Sequence, residues 1–262
     1  VRLAGMRARG KGTAQDVAAA KAELLALAGR GEANALLALG DLYSGEQAIA
    51  NMPALALRYY EDAAARGNLT AFLRLADLYS NAELPKLDYG RAFEFYGRAA
   101  ARGNIDAKVR LAEMTAKGEG TAQDIGTAAT ELEALATAGE VDASLALGDL
   151  YAQTEGVPAD AARARLYYRQ AAKQGSVTAY LRLGEGYRID DPVKAFEAYS
   201  AAAALGSLEG RLRVAELTIR GEGTARDVET GVKTLHSLAE SNSTVVLEAL
   251  ANAQRLRVLG LL

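Results

Sequence analysis

Cysteine is absent from the chain, and histidine occurs once, as His236. Without thiols there is no disulfide framework and no zinc cluster, while the redox compartment stays open, because cytosolic and exported proteins alike can lack cysteine. A single imidazole excludes a histidine-based metal cluster and disfavours Ser-His-Asp and Cys-His nucleophile sites. No run of about 18 apolar residues occurs, so no segment of the sequence suits a membrane-spanning helix. A surplus of one charge is missing too. Lys and Arg number 30 against 33 Asp and Glu, a formal net charge of −3, with the two signs interspersed. That leaves no broad basic surface for nucleic acid and no polybasic patch for a membrane.

What is present is repetition. The stretch from Ala71 to Gly103, AFLRLADLYSNAELPKLDYGRAFEFYGRAAARG, recurs in recognisable form from one end to the other. Its first half places Leu75, Ala76 and Tyr79 on one helical face, and its second half places Ala92, Phe95, Tyr96, Ala99 and Ala100 on another before Gly103. The spacing predicts two antiparallel helices closed by glycine, with small residues at close approaches and Leu, Phe and Tyr filling the rest. Such a pair exposes two apolar flanks and is stable only when stacked on copies of itself.

The period is regular. Gly31, Gly67, Gly103, Gly139 and Gly175 stand 36 residues apart, and Gly206 follows after 31. The missing five residues are expected to come from the loop and not from a helix, because IDDPVKAF stands where NAELPKLDYGRAF is found in the longer unit. A coarser repeat overlies this one: VRLAEMTAKGEGTAQD from Val109 repeats VRLAGMRARGKGTAQD from Val1, and LALGDLY recurs at Leu37 and Leu145, both at a shift of 108. GEGTARD from Gly221 begins a third block.

A single array over 1–262 is therefore expected, with units at about 1–31, 32–67, 68–103, 104–139, 140–175, 176–206 and 207–242. A terminal helix over 243–259 would turn Val246, Leu250, Ala253 and Leu256 inward. Second helices are expected to start at Asp16, at the Pro53 turn, at Asp124, at Pro158 and at Asp190-Asp191-Pro192. Val1 falls inside a first-helix pattern and the chain ends on apolar residues, so both ends are expected to be cut from a longer protein, with a signal peptide, lipid anchor or more repeats lying outside.

The pattern of Ala, then Leu-Gly or Leu-Ala, then Tyr, then G-x-G-x-x-x-D and A-x-x-Y-Y-x-x-A-A-x-x-G resembles the Sel1-like repeat family, a relative of tetratricopeptide repeats, over nearly the whole chain. The resemblance implies an all-α, right-handed α-solenoid of about seven helix-turn-helix repeats of about 36 residues, used as a protein-binding scaffold without catalytic residues or cofactors. Many members carry a disulfide between helices, and this chain resembles the cysteine-free ones. Bacterial members often work in the periplasm, some as scaffolds of exopolysaccharide export such as the alginate lipoprotein AlgK. A periplasmic location and a role in an envelope or exopolysaccharide-secretion complex are the corresponding expectations. A polysaccharide-binding module and a glycan-cleaving enzyme are the rivals; the first needs aromatic faces exposed in a groove, the second two carboxylates converging in one pocket.

Three features invite functional readings. GEGTAQD from Gly118 and GEGTARD from Gly221 superficially resemble phosphate-binding loops, but such loops follow a strand, whereas these join two helices in step with the block. They are expected to be a helix C-cap followed by an Asp N-cap. Tyr59-Tyr60, Phe95-Tyr96 and Tyr167-Tyr168 recur at one repeat position and are expected to pack rather than to stack a sugar. The third is a charged ladder on the first helices. One position carries Asp41, Asp77, Glu113, Asp149, Glu185 and Glu216, and three residues earlier stand Arg74, Arg110, Arg182 and Arg213, with Ala38 and Ala146 in the other units. Two readings stay open, an inter-repeat ion-pair network or a polar groove that accepts a partner's extended segment on what the resemblance makes the concave side. Arg74, Asp77, Arg110, Glu113, Asp149, Arg182, Glu185, Arg213 and Glu216 are the candidate groove residues.

Overall fold

A computed structural model describes residues 17–44, 52–81, 86–153, 159–239 and 251. Among the described residues the chain forms thirteen α-helices and no strand: α1 (Val17–Gly29), α2 (Ala33–Asp41), α3 (Pro53–Ala65), α4 (Leu69–Ser80), α5 (Tyr89–Ala100), α6 (Ile105–Lys117), α7 (Ile125–Thr137), α8 (Val141–Gln153), α9 (Ala161–Lys173), α10 (Val177–Tyr187), α11 (Pro192–Ala204), α12 (Leu208–Arg220) and α13 (Val228–Ala239). α1 is the second helix of its unit, and the rest pair in order from α2/α3 to α12/α13. Asp16, Pro158 and all of 243–259 except Ala251 lie outside the described residues.

Side chains set the helix starts. Ahead of the first helices, Asn68, Asn104, Ser176 and Ser207 accept from the backbone N–H three residues on, at 2.8–3.2 Å. Ahead of the second helices, Asp88, Asp124, Asp160, Asp191 and Asp227 do the same. Each cap occupies one of the four unpaired N–H groups of a helix start. Pro53 and Pro192 open α3 and α11, where the lost N–H has no intrahelical partner in any case.

Among the described residues, one backbone hydrogen bond closes each loop from a first to a second helix. The N–H of residue 52, 88, 124, 160 or 227 donates to the carbonyl of residue 43, 79, 115, 151 or 218, nine positions earlier, at 2.8–2.9 Å. In the shortened unit the same bond runs from Asp191 to Tyr187, only four positions earlier. The five deleted residues therefore lie between these partners, in the connection between the two helices. α10 has 11 residues, within the 9 to 13 spanned by the first helices of the other units.

The chain divides into two compact units, Val1–Glu131 and Leu132–Leu262. The division cuts α7, within which the repeat pattern itself is uninterrupted. In the first unit the core runs from Ala20 and Leu24 on α1 through Leu39, Tyr60, Phe72, Leu75 and Tyr96 to Met114 on α6. The second unit has clusters around Tyr168 and Leu183, around Tyr199 and Leu217, and around Leu212 and Leu235. Alanines at the helix contacts, among them Ala71, Ala92, Ala143 and Ala195, are fully buried, which brings backbones close and leaves the volume to Leu and Tyr.

Candidate functional site

The ladder residues lie on α2, α4, α6, α8, α10 and α12, and the second helices decide how each carboxylate is engaged. Tyr60, Tyr96, Tyr168 and Tyr199, buried on α3, α5, α9 and α11, donate their hydroxyls to Asp41, Asp77, Asp149 and Glu185 at 3.0, 2.6, 2.7 and 3.1 Å. Burial first, and the adjoining carboxylate next, push these phenols well above their ordinary range, so they remain donors. Gly148 makes room for the Tyr168 ring: a Cβ there would lie 2.3 Å from it. In the units of α6/α7 and α12/α13 the second helix carries Leu132 or Leu235 instead of Tyr, and the carboxylate turns to its own helix. Arg110 donates to Glu113 at 2.9 Å and Arg213 to Glu216 at 3.1 Å.

Two kinds of rung result. Arg74 reaches back to Asp41 of the preceding repeat at 3.3 Å and lies 3.8 Å from Asp77. Arg182, one block later, reaches back to Asp149 at 3.1 Å. Arg110 and Arg213 stay on their own helices, Arg213 also pairing with Glu209 at 3.6 Å, while Glu185 takes Arg188 at 3.3 Å. The ladder residues are thus brought together within each unit as an inter-repeat and intrahelical network. The arginines nevertheless keep 37–60% of their side-chain surface exposed, which leaves donors of the guanidinium fork facing solvent. The buried tyrosine partners are the element the sequence reading assigned to packing alone. Their signal was available, since Tyr in the second helix alternates with Leu in step with the three-unit block.

The glycine loops have a structural use. Gly118 and Gly221 end α6 and α12 in the left-handed conformation, and Asp124 and Asp227 cap the following helices, held below the usual carboxylate range first by the backbone N–H of Thr127 and Thr230. The second glycine of each loop lies on the preceding repeat. A Cβ on Gly120 would stand 2.2 Å from the Tyr89 carbonyl oxygen, and one on Gly223 would stand 2.0 Å from that of Pro192. Both loops seal the first turn of the second helix before them, α5 and α11.

The outer aromatics are stacked. Tyr59, Phe95 and Tyr167 lie nearly parallel to Tyr43, Tyr79 and Tyr151 of the paired first helices, with centroids 5.8–6.0 Å apart, and Lys21, Arg91 and Arg163 cover those first-helix rings. This is packing within helix pairs. In the second unit an open cleft of about 400 Å³ is lined by Ala162, Arg165, Arg169, Tyr187, Asp190 and Asp191. Its two acids are ion-paired, Asp190 with Arg165 and Asp191 with Lys194. The Lys194 ammonium holds Asp191 below the usual carboxylate range, the opposite of what a general acid requires. Among the described residues no group of three or more His, Cys, Asp or Glu could hold a metal, and no helix is long and apolar enough to cross a membrane.

Helix pairs that recur at a period of 36 residues, shortened once to 31, and carry charge on their first helices define a repeat protein. The Sel1 repeat profile matches residues 33–68, 73–104, 105–129, 141–176 and 178–207, and the chain belongs to the Sel1 repeat family, whose members are generally protein–protein interaction scaffolds and typically non-catalytic. Among solved structures it is similar to a Sel1 repeat protein from Oxalobacter formigenes, at 27% identity and TM-score 0.69, over 96% of this chain and 75% of that one. It is also similar, at 27% identity and TM-score 0.59, to a protective antigen of uropathogenic Escherichia coli strains displaying an SLR fold, over 88% of this chain. The chain spans 50% of the length of that antigen. An immunity protein from Pseudomonas aeruginosa shares the fold at 19% identity and TM-score 0.55, over 85% of this chain and 83% of that one. No curated protein sequence matches the chain.

Proposed function

We propose that this chain is a non-catalytic scaffold that binds protein partners through the charged faces of its first helices, as part of a bacterial envelope assembly working in the periplasm. The observation that carries the reading is the half-exposed arginine set. Arg110 and Arg182 are each engaged by one carboxylate and Arg74 by two, and each keeps about half of its side-chain surface exposed. An arginine fixed in this way loses little further side-chain freedom on binding and offers a planar fork to a partner carboxylate or carbonyl. The bacterial origin of the Sel1 proteins it is similar to supports the bacterial setting, and exopolysaccharide secretion at the envelope is the process we propose for it. The polysaccharide reading gains nothing from the aromatic rings, which are stacked within helix pairs.

The experiment is a titration of a partner captured with this chain against wild type and R74E/R110E, at low and moderate salt. The double reversal is expected to weaken binding, and added salt to weaken wild-type binding, with helical content unchanged. A single alanine at either position has a smaller effect, because the contact is spread over a face. Equal affinity for wild type and R74E/R110E would assign the ladder to internal structure alone.

A further inference from the structure

α9 departs from the repeat in a way that packing does not require. Its outward stripe carries Leu166, Arg169 and Lys173, at i, i+3 and i+7. The equivalent positions hold Arg58, Glu61 and Ala65 on α3, Glu94, Gly97 and Ala101 along α5, Thr130, Glu133 and Thr137 on α7, and Glu197, Ser200 and Ala204 on α11. No other second helix combines an apolar side chain with two cations there. α9 as a whole contains four basic residues and no acidic one. Arg163 and Arg165 are paired with Asp160 and Asp190, whereas Arg169 and Lys173 form no ion pair among the described residues. Arg169 only donates Nε–H to the Arg165 carbonyl, 3.2 Å away. Leu166, one turn before Arg169, is 54% exposed.

The five-residue deletion opens the same place. In two units a glycine loop seals the first turn of the preceding second helix, Gly120 against α5 and Gly223 against α11. The 188–191 turn between α10 and α11 has no such loop, and the first turn of α9 is left as a wall of the cleft at Ala162 and Arg165. Arg165 stretches over the Tyr187 ring to the Gly186 carbonyl and to Asp190. Arg169 joins the cleft to the stripe. Ile189, next in the chain to Asp190 of the cleft, is 86% exposed.

We infer that the outer stripe of α9 and the cleft at its start form a second docking surface, distinct from the first-helix ladder, for an acidic segment of a protein partner. Carboxylates of that segment pair with Arg169 and Lys173, and an aliphatic side chain covers Leu166. Charge complementarity selects the occupant. Arg169 and Lys173, which form no ion pair among the described residues, share a stripe with an apolar side chain, which matches a peptide alternating acidic and aliphatic residues.

The test measures fluorescence anisotropy of a short labelled peptide of alternating Glu and Leu against the whole chain, with a Gln-Leu peptide and a labelled single-stranded oligonucleotide alongside. The Glu-Leu peptide is expected to bind saturably and less tightly as salt rises. R169E/K173E should weaken it about tenfold or more, the factor that corresponds to about 1.4 kcal/mol, and L166S should weaken it at unchanged salt sensitivity. All three positions are exposed, so circular dichroism should match wild type. The ladder variant R74E/R110E separates the two surfaces and should retain the peptide. The inference is overturned if R169E/K173E binds the peptide as wild type does, if only R74E/R110E loses it, or if the Gln-Leu peptide or the oligonucleotide binds as tightly.

Discussion

The hydroxyl of Tyr168 sits in a buried helix contact and donates to Asp149 at 2.7 Å, an arrangement shared by Tyr60, Tyr96 and Tyr199. Each phenol has a folded-state pKa above its unfolded value of about 10. A raised folded value contributes stability that is fully present below the unfolded pKa and is lost as pH rises above it, because the unfolded chain then releases a proton the folded chain retains. Each tyrosine should therefore cost up to about 1.4 kcal/mol per pH unit on the alkaline side. In Tyr168→Phe the stability at neutral pH should fall by about 0.5–1.5 kcal/mol, and the urea midpoint should decline less steeply than that of wild type above pH of about 10. Parallel alkaline slopes for the two proteins would refute the linkage. From the sequence, Tyr168 reads as one aromatic of a recurring pair and Asp149 as one rung of a ladder. Their hydrogen bond was not legible, because the two lie 19 residues apart on antiparallel helices and only the crossing of α8 and α9 brings them together.

Among elements, the helix-closing and loop glycines separate backbone strain from close approach. Gly103 ends its unit at φ +87° with nothing within 4 Å of a built Cβ, whereas Gly120 has φ +74° and a Cβ position 2.2 Å from the Tyr89 carbonyl oxygen. Gly103→Ala should thus cost the left-handed penalty alone, about 1–2 kcal/mol. Gly120→Ala should cost more, because the loop must also lift off α5. Urea midpoints of the two variants test the order, and equal losses would show that the loop does not seal the neighbouring helix. Spacing and composition suffice to read the loop as a cap pair, Gly118 with Asp124. The contact of Gly120 with the previous repeat depends on how successive pairs stack, which no residue within the motif specifies.

At the scale of the whole chain, repeats that contact mainly their neighbours should respond locally. Leu75 and Leu183 are 0% and 5% exposed in the cores of the first and second units, and Leu→Ala at either should cost about 2–5 kcal/mol. Hydrogen exchange should rise around α4 and α5 for Leu75→Ala and around α10 and α11 for Leu183→Ala, and urea unfolding should cease to be a single transition. A cost under about 1 kcal/mol would show that the first-helix register is wrong. Helical class, the 36-residue period, the capping residues and the burial of Leu75 and Leu183 were determined by the sequence by itself, because each rests on interactions within about one helical turn or on a pattern repeated several times. Tertiary structure alone decided which arginines reach back to the preceding repeat, which carboxylates accept a tyrosine, and that five deleted residues uncover the start of α9. Those outcomes depend on side chains meeting across 14 to 33 residues of chain, and their distances follow from the packing of α-helices rather than from any local preference.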